Sequence, residues 1–187
     1  MRFAVIYDAC VLYPAPLRDL LVRLATTGLF AARWTDQIHD EWIRNLIERR
    51  PELEPHLSCT RHLMNGAVED SLVTGHEPLI EGLTLPDPDD RHVLAAAIRA
   101  SAQLIITFNL KDFPAATLDS FGIEAVHPDA FILQQMDLHE GIVINTVRQH
   151  RASLKRPPKT AAEYLDTLAA QGLLLTTDRL KEFQELI

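Results

Sequence analysis

Four acidic positions stand where chain geometry could turn a carboxylate into a reagent. Asp8 closes an apolar run over residues 3–7, and Asp90 opens a helix after an extended stretch. Asp112 lies in the polar loop after the apolar residues 104–106, and Glu41 falls in the first turns of a helix beside Asp40. In open parallel sheets, active sites gather at the carboxyl ends of strands, where Asp8 and Asp112 would fall. Carboxylates gathered there without a Cys or His set select a hard, oxygen-seeking cation, Mg2+ or Mn2+. Without a cation they repel one another, and some must keep a proton. With one or two ions they would hold a phosphate oxygen, lower the pKa of a bound water and stabilise a leaving oxygen. Each acid also has a plainer reading. Asp89 and Asp90 suit the positive end of a helix dipole, Asp112 could cap a turn, and Glu41 could be an ordinary solvated side chain.

The elements that must position these acids are legible in outline. Residues 3–7 read as a parallel strand buried on both faces. Pro14 and Pro16 punctuate a loop, and a helix over 17–26 follows, with Leu20, Leu21 and Leu24 on one face and Gly28 closing it. Residues 29–32 suit a second strand. Thr35 is a good N-cap for a helix over 36–48, whose apolar stripe is Ile38, Trp42, Leu46 and Ile47. A third helix is expected from 51 or 52 towards 68, and residues 79–85 as a short strand or extended loop. Asp87 is placed to cap the next helix, with Pro88 at its first position, and residues 93–98 are small and apolar all round, as in a helix buried on several sides. Strands over 103–107 and 123–126 and a helix over 128–136 complete an α/β domain, residues 1–136, with a mostly parallel sheet. The tail, 138–187, reads as a helical extension: helices over 138–154, 160–170 and 177–186, broken by Pro157-Pro158 and Gly172.

Composition narrows the class. The 187 residues are 47% hydrophobic and 24% charged, a globular composition. No apolar run approaches the roughly 18 residues of a transmembrane helix, and the short N-terminal apolar stretch ends in an acid, unlike a signal peptide. A cytoplasmic protein is expected. Cys10 and Cys59 have no zinc or disulfide spacing, so neither is expected to carry function. The net charge of −8 argues against a nucleic-acid partner unless bound cations cancel it locally. The basic cluster is Arg148, Arg151, Lys155, Arg156 and Lys159, in a stretch free of acids; it reads either as a solvated face or as a contact to an RNA backbone.

Taken in order, the acids lie in familiar surroundings. Val5-Ile6-Tyr7-Asp8-Ala9-Cys10-Val11-Leu12 and Trp34-Thr35-Asp36-Gln37-Ile38-His39-Asp40-Glu41 resemble the first two motifs of the PIN-domain family. Asp87-Pro88-Asp89-Asp90-Arg91-His92-Val93-Leu94-Ala95-Ala96-Ala97 resembles the third, and Ile106-Thr107-Phe108-Asn109-Leu110-Lys111-Asp112-Phe113 the fourth. The resemblance spans 1–136 and extends to the VapC-like toxin branch that carries a C-terminal helical extension. It implies a three-layer α/β/α sandwich and a Mg2+- or Mn2+-dependent endoribonuclease, the toxin of a toxin–antitoxin pair with a cognate antitoxin, and a homodimer. It further implies that Asp8, Asp90 and Asp112 bind metal, that Glu41 is a ligand or a water-mediated partner, and that Thr107 and Asn109 support them. Aligning on the Val93–Ala97 core selects Asp90 over its neighbours, leaving Asp87 as the cap and Asp89 facing outward. Water would attack phosphorus, leaving 5′-phosphate and 3′-hydroxyl ends. One departure is Cys10, where the family often has Asn or Ser, which weakens a supporting hydrogen bond without removing a ligand.

Three other readings compete. A phosphatase of the haloacid-dehalogenase type needs a second Asp where Cys10 stands. A structure-specific DNA nuclease usually carries more acids. A catalytically degenerate PIN-like module would bind RNA or protein without cutting.

Overall fold

The computed structural model describes residues 3–187. Four short parallel strands form one sheet: β1 (Ala4–Tyr7), β2 (Ala31–Arg33), β3 (Leu104–Ile106) and β4 (Glu124–Val126), in the order β2-β1-β3-β4. Every residue of β1 is buried, in keeping with its unbroken apolar run. In register, Ile6 lies between Arg33 and Ile105, and Tyr7 pairs with Ile106. The ladders run one residue further, with Asp8 N–H donating to Ile106 O and Thr107 N–H to Val126 O. Asp8 and Thr107 therefore end neighbouring strands side by side.

Helices connect and flank the strands. α1 (Ala9–Leu12) and α2 (Ala15–Thr26) join β1 to β2. α3 (Asp36–Arg49), α4 (Glu54–Ala67), α5 (Glu77–Ile80) and α6 (Arg91–Arg99) lie between β2 and β3, and α7 (Ala115–Leu118) lies between β3 and β4. The chain leaves β1 in one direction along the sheet and leaves β2 and β3 in the other. Right-handed crossovers then put α2 on one face and α6 and α7 on the opposite face. This is the layered α/β/α arrangement, and the crevice between the ends of β1 and β3 is its switch point. The core is aromatic around β1: Tyr7 stacks on Trp34, and Phe30 meets Phe131 edge-on with ring centroids 4.9 Å apart.

Local chemistry explains the element ends. Thr35 caps α3 through its hydroxyl, which accepts from Ile38 N–H at 3.0 Å. Asp87 caps a 3-10 turn (Pro88–Asp90) that leads into α6. The loop expected after Asp8 holds the short helix α1, because the Asp8 carboxylate accepts from Ala9 N–H at 2.6 Å and starts a turn at once. Residues 79–85 form no strand. Glu77 and Pro78 suit a helix start, so α5 begins there, and the segment that pairs with the sheet edge is Ser71 to Val73, bonded to both sides of Trp34.

After β4, α8 (Pro128–Ser153) runs as two helices merged across a break at His139, whose backbone is non-helical. α9 (Ala161–Ala169) starts with a capping box between Thr160 and Glu163. The last helix, α10 (Leu174–Lys181), begins earlier than the expected residue 177 because a buried acid caps it: Asp129 accepts from Leu175 N–H and Thr176 N–H, each at 2.8 Å. No helix among the described residues is long and apolar enough to cross a membrane.

Candidate active site

The end of β1 carries Asp8, only 2% exposed. Its Oδ2 accepts from the Thr107 hydroxyl at 2.7 Å and from the Cys10 thiol at 3.1 Å, while Oδ1 accepts from Ala9 N–H. Burial pushes the Asp8 carboxyl up and the nearby charge of Glu41 adds to this, while the hydrogen bonds from Thr107 and Cys10 oppose it. Cys10 does more than its spacing suggested. Burial and the Asp8 charge raise its thiol, so it keeps its proton and donates to Asp8, and its sulfur also accepts from Phe108 N–H at 3.3 Å. The thiol thus supplies a supporting hydrogen bond to Asp8 that the sequence position alone did not suggest.

Opposite Asp8, the 3-10 turn and the start of α6 bring up Asp87, Asp89 and Asp90. The Asp87 carboxylate accepts from Asp89 N–H at 2.9 Å, as a cap should. Asp90 is half-buried and its carboxyl is pushed up to about 7, first by burial and then by the charges of Asp8, Asp87, Glu41 and Asp112. Asp90 therefore feels every acid proposed from the sequence. Glu41, on α3, accepts a hydrogen bond from His92 Nε2 at 3.2 Å. His92 is buried and its Nδ1 has no partner among the described residues, so the tautomer with the proton on Nε2 satisfies the pair. Asp112 sits partly buried in the 3-10 turn after β3, its backbone N–H bonded to Asn109 O. Asn109 N–H in turn donates to the Thr107 hydroxyl oxygen at 2.9 Å.

A cleft of about 570 Å³ is lined by Glu41, Asp87, Asp89, Asp90, His92 and Asn109 among others. Asp89 faces into it, although its sequence position suggested an outward direction. Among the described residues, no three Asp, Glu, His or Cys side chains close tightly on a common point. Glu41, Asp87, Asp89 and Asp90 line the cleft, whereas Asp8 and Asp112 do not reach its wall, and no finished cage is formed. Their donor set is carboxylate oxygen throughout, which suits Mg2+ or Mn2+ and no soft metal.

The basic cluster lies elsewhere. Arg148, on α8, donates to Asn145, and Arg151 donates to Lys159 O at 2.9 Å, tying down the loop that carries Lys155 and Arg156. None of the five lines the cleft. Sequence reasoning missed His92, because a lone histidine on an apolar helix face is ordinarily a core residue.

Comparison with known proteins matches residues 4–111 to the PIN domain family. The chain belongs to the PIN-domain family. Residues 128–182 match a second family, the VapC50 C-terminal domain. A relative from Mycobacterium tuberculosis (strain ATCC 25618 / H37Rv), named "Putative ribonuclease VapC50", is 44% identical over 118 residues, covering 63% of this chain and 69% of its own length. No solved structure matches the chain. The α/β/α layering and the helices after β4 agree with the two family matches, the first over β1 to β3 and the second over α8 to α10.

Proposed function

We propose that this PIN-domain protein is a divalent-metal-dependent endoribonuclease and the toxin of a toxin–antitoxin pair. The observation that carries the reading is an acidic cleft at the sheet's switch point lined by Glu41 and Asp90, with Asp90 raised to about 7 by burial and then by the charges of Asp8, Asp87, Glu41 and Asp112. Such repulsion is costly unless positive charge enters the cleft. The name of the 44%-identical relative supports ribonuclease activity.

Asp8, Asp90 and Asp112 would hold Mg2+ or Mn2+, with Glu41 as a further ligand or the group that orients the attacking water. The cation supplies charge that stabilises the phosphate and its leaving oxygen. The chain's own residues do the rest. Thr107 and Cys10 fix the Asp8 carboxylate by donating to its Oδ2, and His92 fixes Glu41. Asn109 lies at the cleft wall where a phosphate oxygen would pass. Water adds to phosphorus, the bond to the 3′-oxygen breaks, and that oxygen takes a proton, giving 5′-phosphate and 3′-hydroxyl ends. Residues 1–136 are the catalytic unit and 138–187 its helical extension; a cognate antitoxin and a homodimer belong to the same reading.

Incubating the protein with a pool of structured RNAs, in Mn2+ and in EDTA, tests this. Cutting in Mn2+ alone, with phosphate on the 5′ ends, is expected. Cutting that persists unchanged in EDTA would contradict the metal's role, and binding without cutting would leave the degenerate-module reading.

A further inference from the structure

Past Glu41 and Asn109 the acidic cleft meets a second one, of about 530 Å³, lined also by Cys10, Tyr13, Asn45 and Arg49. The two differ sharply in charge. The first presents Asp40, Glu41, Asp87, Asp89 and Asp90 against the single cation Arg44. The second shares Glu41 but adds only Glu48, against Arg49. A polyanionic strand that reaches the carboxylates must have a flank where its charge is tolerated, and the second cleft is the better of the two.

We infer that this second cleft binds the nucleotide next to the scissile phosphate of single-stranded RNA, with Tyr13 as the stacking surface for its base and Arg49 as its phosphate contact. The inference rests on the ribonuclease reading above and names the substrate path at that site.

Tyr13 is anchored through its backbone and its ring is accessible. It ends α1, where its backbone N–H donates to Ala9 O at 3.0 Å. Buried Arg18 reaches under it, donating from Nη1 to Leu12 O at 2.7 Å and to Tyr13 O at 3.2 Å, and Arg18 itself stacks over Trp42 at 4.6 Å. The ring stays half-buried, with one side open to the cleft. An aromatic face of this kind takes an unstacked base, whatever its identity, and cannot reach a base inside a duplex.

Arg49 belongs to the last turn of α3, exposed and without an ion-pair partner among the described residues. Its guanidinium lies 5.9 Å from the centre of the Tyr13 ring. The cation lies over one face of the ring, so that face carries the phosphate contact and the other is left for the base. Asn45 lines the same cleft and offers an amide to a base edge. The basic cluster from Arg148 to Lys159 lines neither cleft.

The test measures binding of a fluorescent single-stranded RNA, and of a hairpin of the same sequence, to the full chain in an Asp8→Asn background with Mn2+, so that the strand stays whole. Tyr13→Leu should weaken single-strand binding about tenfold and Tyr13→Phe should restore it, as loss and return of one stacked base predict. Arg49→Gln should weaken it about fivefold and lower the slope of log affinity against log salt by about 0.7, the value for one phosphate contact on a single strand. In the active chain both changes should raise KM and leave kcat and the Mn2+-induced rise in melting temperature close to wild type. Arg156→Gln should bind as the parent does. Unchanged affinity in Arg49→Gln and Tyr13→Leu, or tighter binding of the hairpin stem than of the single strand, would overturn the inference while leaving a wild type that cuts RNA intact. A folded wild type that cuts no RNA in Mn2+ would overturn the ribonuclease reading, and this inference with it.

Discussion

Replacing Asp90 with Asn should make the metal-free protein more stable, although it removes a proposed metal ligand. In the folded chain Asp90 keeps its proton up to about pH 7, against 3.8 for an ordinary aspartate, because it is half-buried and faces Asp8, Asp87, Glu41 and Asp112. The rise corresponds to about 4 kcal/mol, since each tenfold change in acidity is worth about 1.36 kcal/mol. Half of the side chain faces water, and solvent screening brings this down to about 2 kcal/mol. The folded pKa lies above the unfolded one, so the contribution is fully present below about pH 4. It is lost as pH rises through about 7, because over that window the folded chain binds a proton that the unfolded chain has released.

Asp90→Asn carries no charge at any pH and escapes this loss. In EDTA at pH 8 it should melt about 5 °C above wild type, taking about 2–4 °C per kcal/mol for a chain of this size. The gap between the two should close as pH falls towards 4. Comparing the two proteins cancels the titration of His39 and His150, which are the same in both. Added Mn2+ should raise the melting temperature of wild type and leave the variant where it was. Thermal melts at a series of pH values, with EDTA and with Mn2+, would settle the matter. Asp90→Asn melting at or below wild type in EDTA at pH 8 would refute the reasoning, because it would mean that the acids do not repel across the cleft.

Three further outcomes follow from other contacts. His92→Leu should lower Mn2+ affinity roughly tenfold by releasing Glu41, and His92→Gln, which keeps a donor, should recover part of it; calorimetric titration of the metal distinguishes them. Asp129→Ala removes the carboxylate that accepts two N–H groups at the start of α10, and urea melts should show a loss of about 2 kcal/mol. Burial lowers His150 to about 4, and its Nδ1 lies 2.9 Å from the Tyr164 hydroxyl. Its folded pKa lies below the ordinary 6.5, so its contribution is present above pH 6.5 and is lost as pH falls towards 4. Proteolysis of the loop between α8 and α9 should speed up over that window in wild type and much less in His150→Gln.

Much of the framework was legible because it rests on local rules. The unbroken apolar runs of β1 and β3 and the Thr35 cap of α3 need no tertiary information, and the break at His139 lies one residue inside the second of the two helices read separately there. The acids were legible as strand-end and helix-start residues, and the motif resemblance singled out Asp90 from its neighbours. What sequence could not supply depends on side chains meeting across the fold. α1 was hidden because its cap is Asp8, a residue already read as a strand end. The role of His92 appears only when α3 and α6 bring it to Glu41, and that of Cys10 only when β3 places Thr107 and Phe108 beside it. The densest basic stretch lies in α8 and the loop after it and lines neither cleft, whereas Arg49, a cation at a helix end, lines one of them.

The central claim is that Asp8, at the end of β1, is indispensable to metal-dependent cutting of RNA. It is tested most directly by following turnover of one RNA substrate in Mn2+ by wild type and by Asp8→Asn, with both shown by thermal melting to be folded. The account predicts that the variant loses cleavage by a factor of 100 or more while its melting temperature in EDTA holds or rises, roughly the scale set by losing one metal-site interaction. Wild-type turnover in folded Asp8→Asn would contradict it.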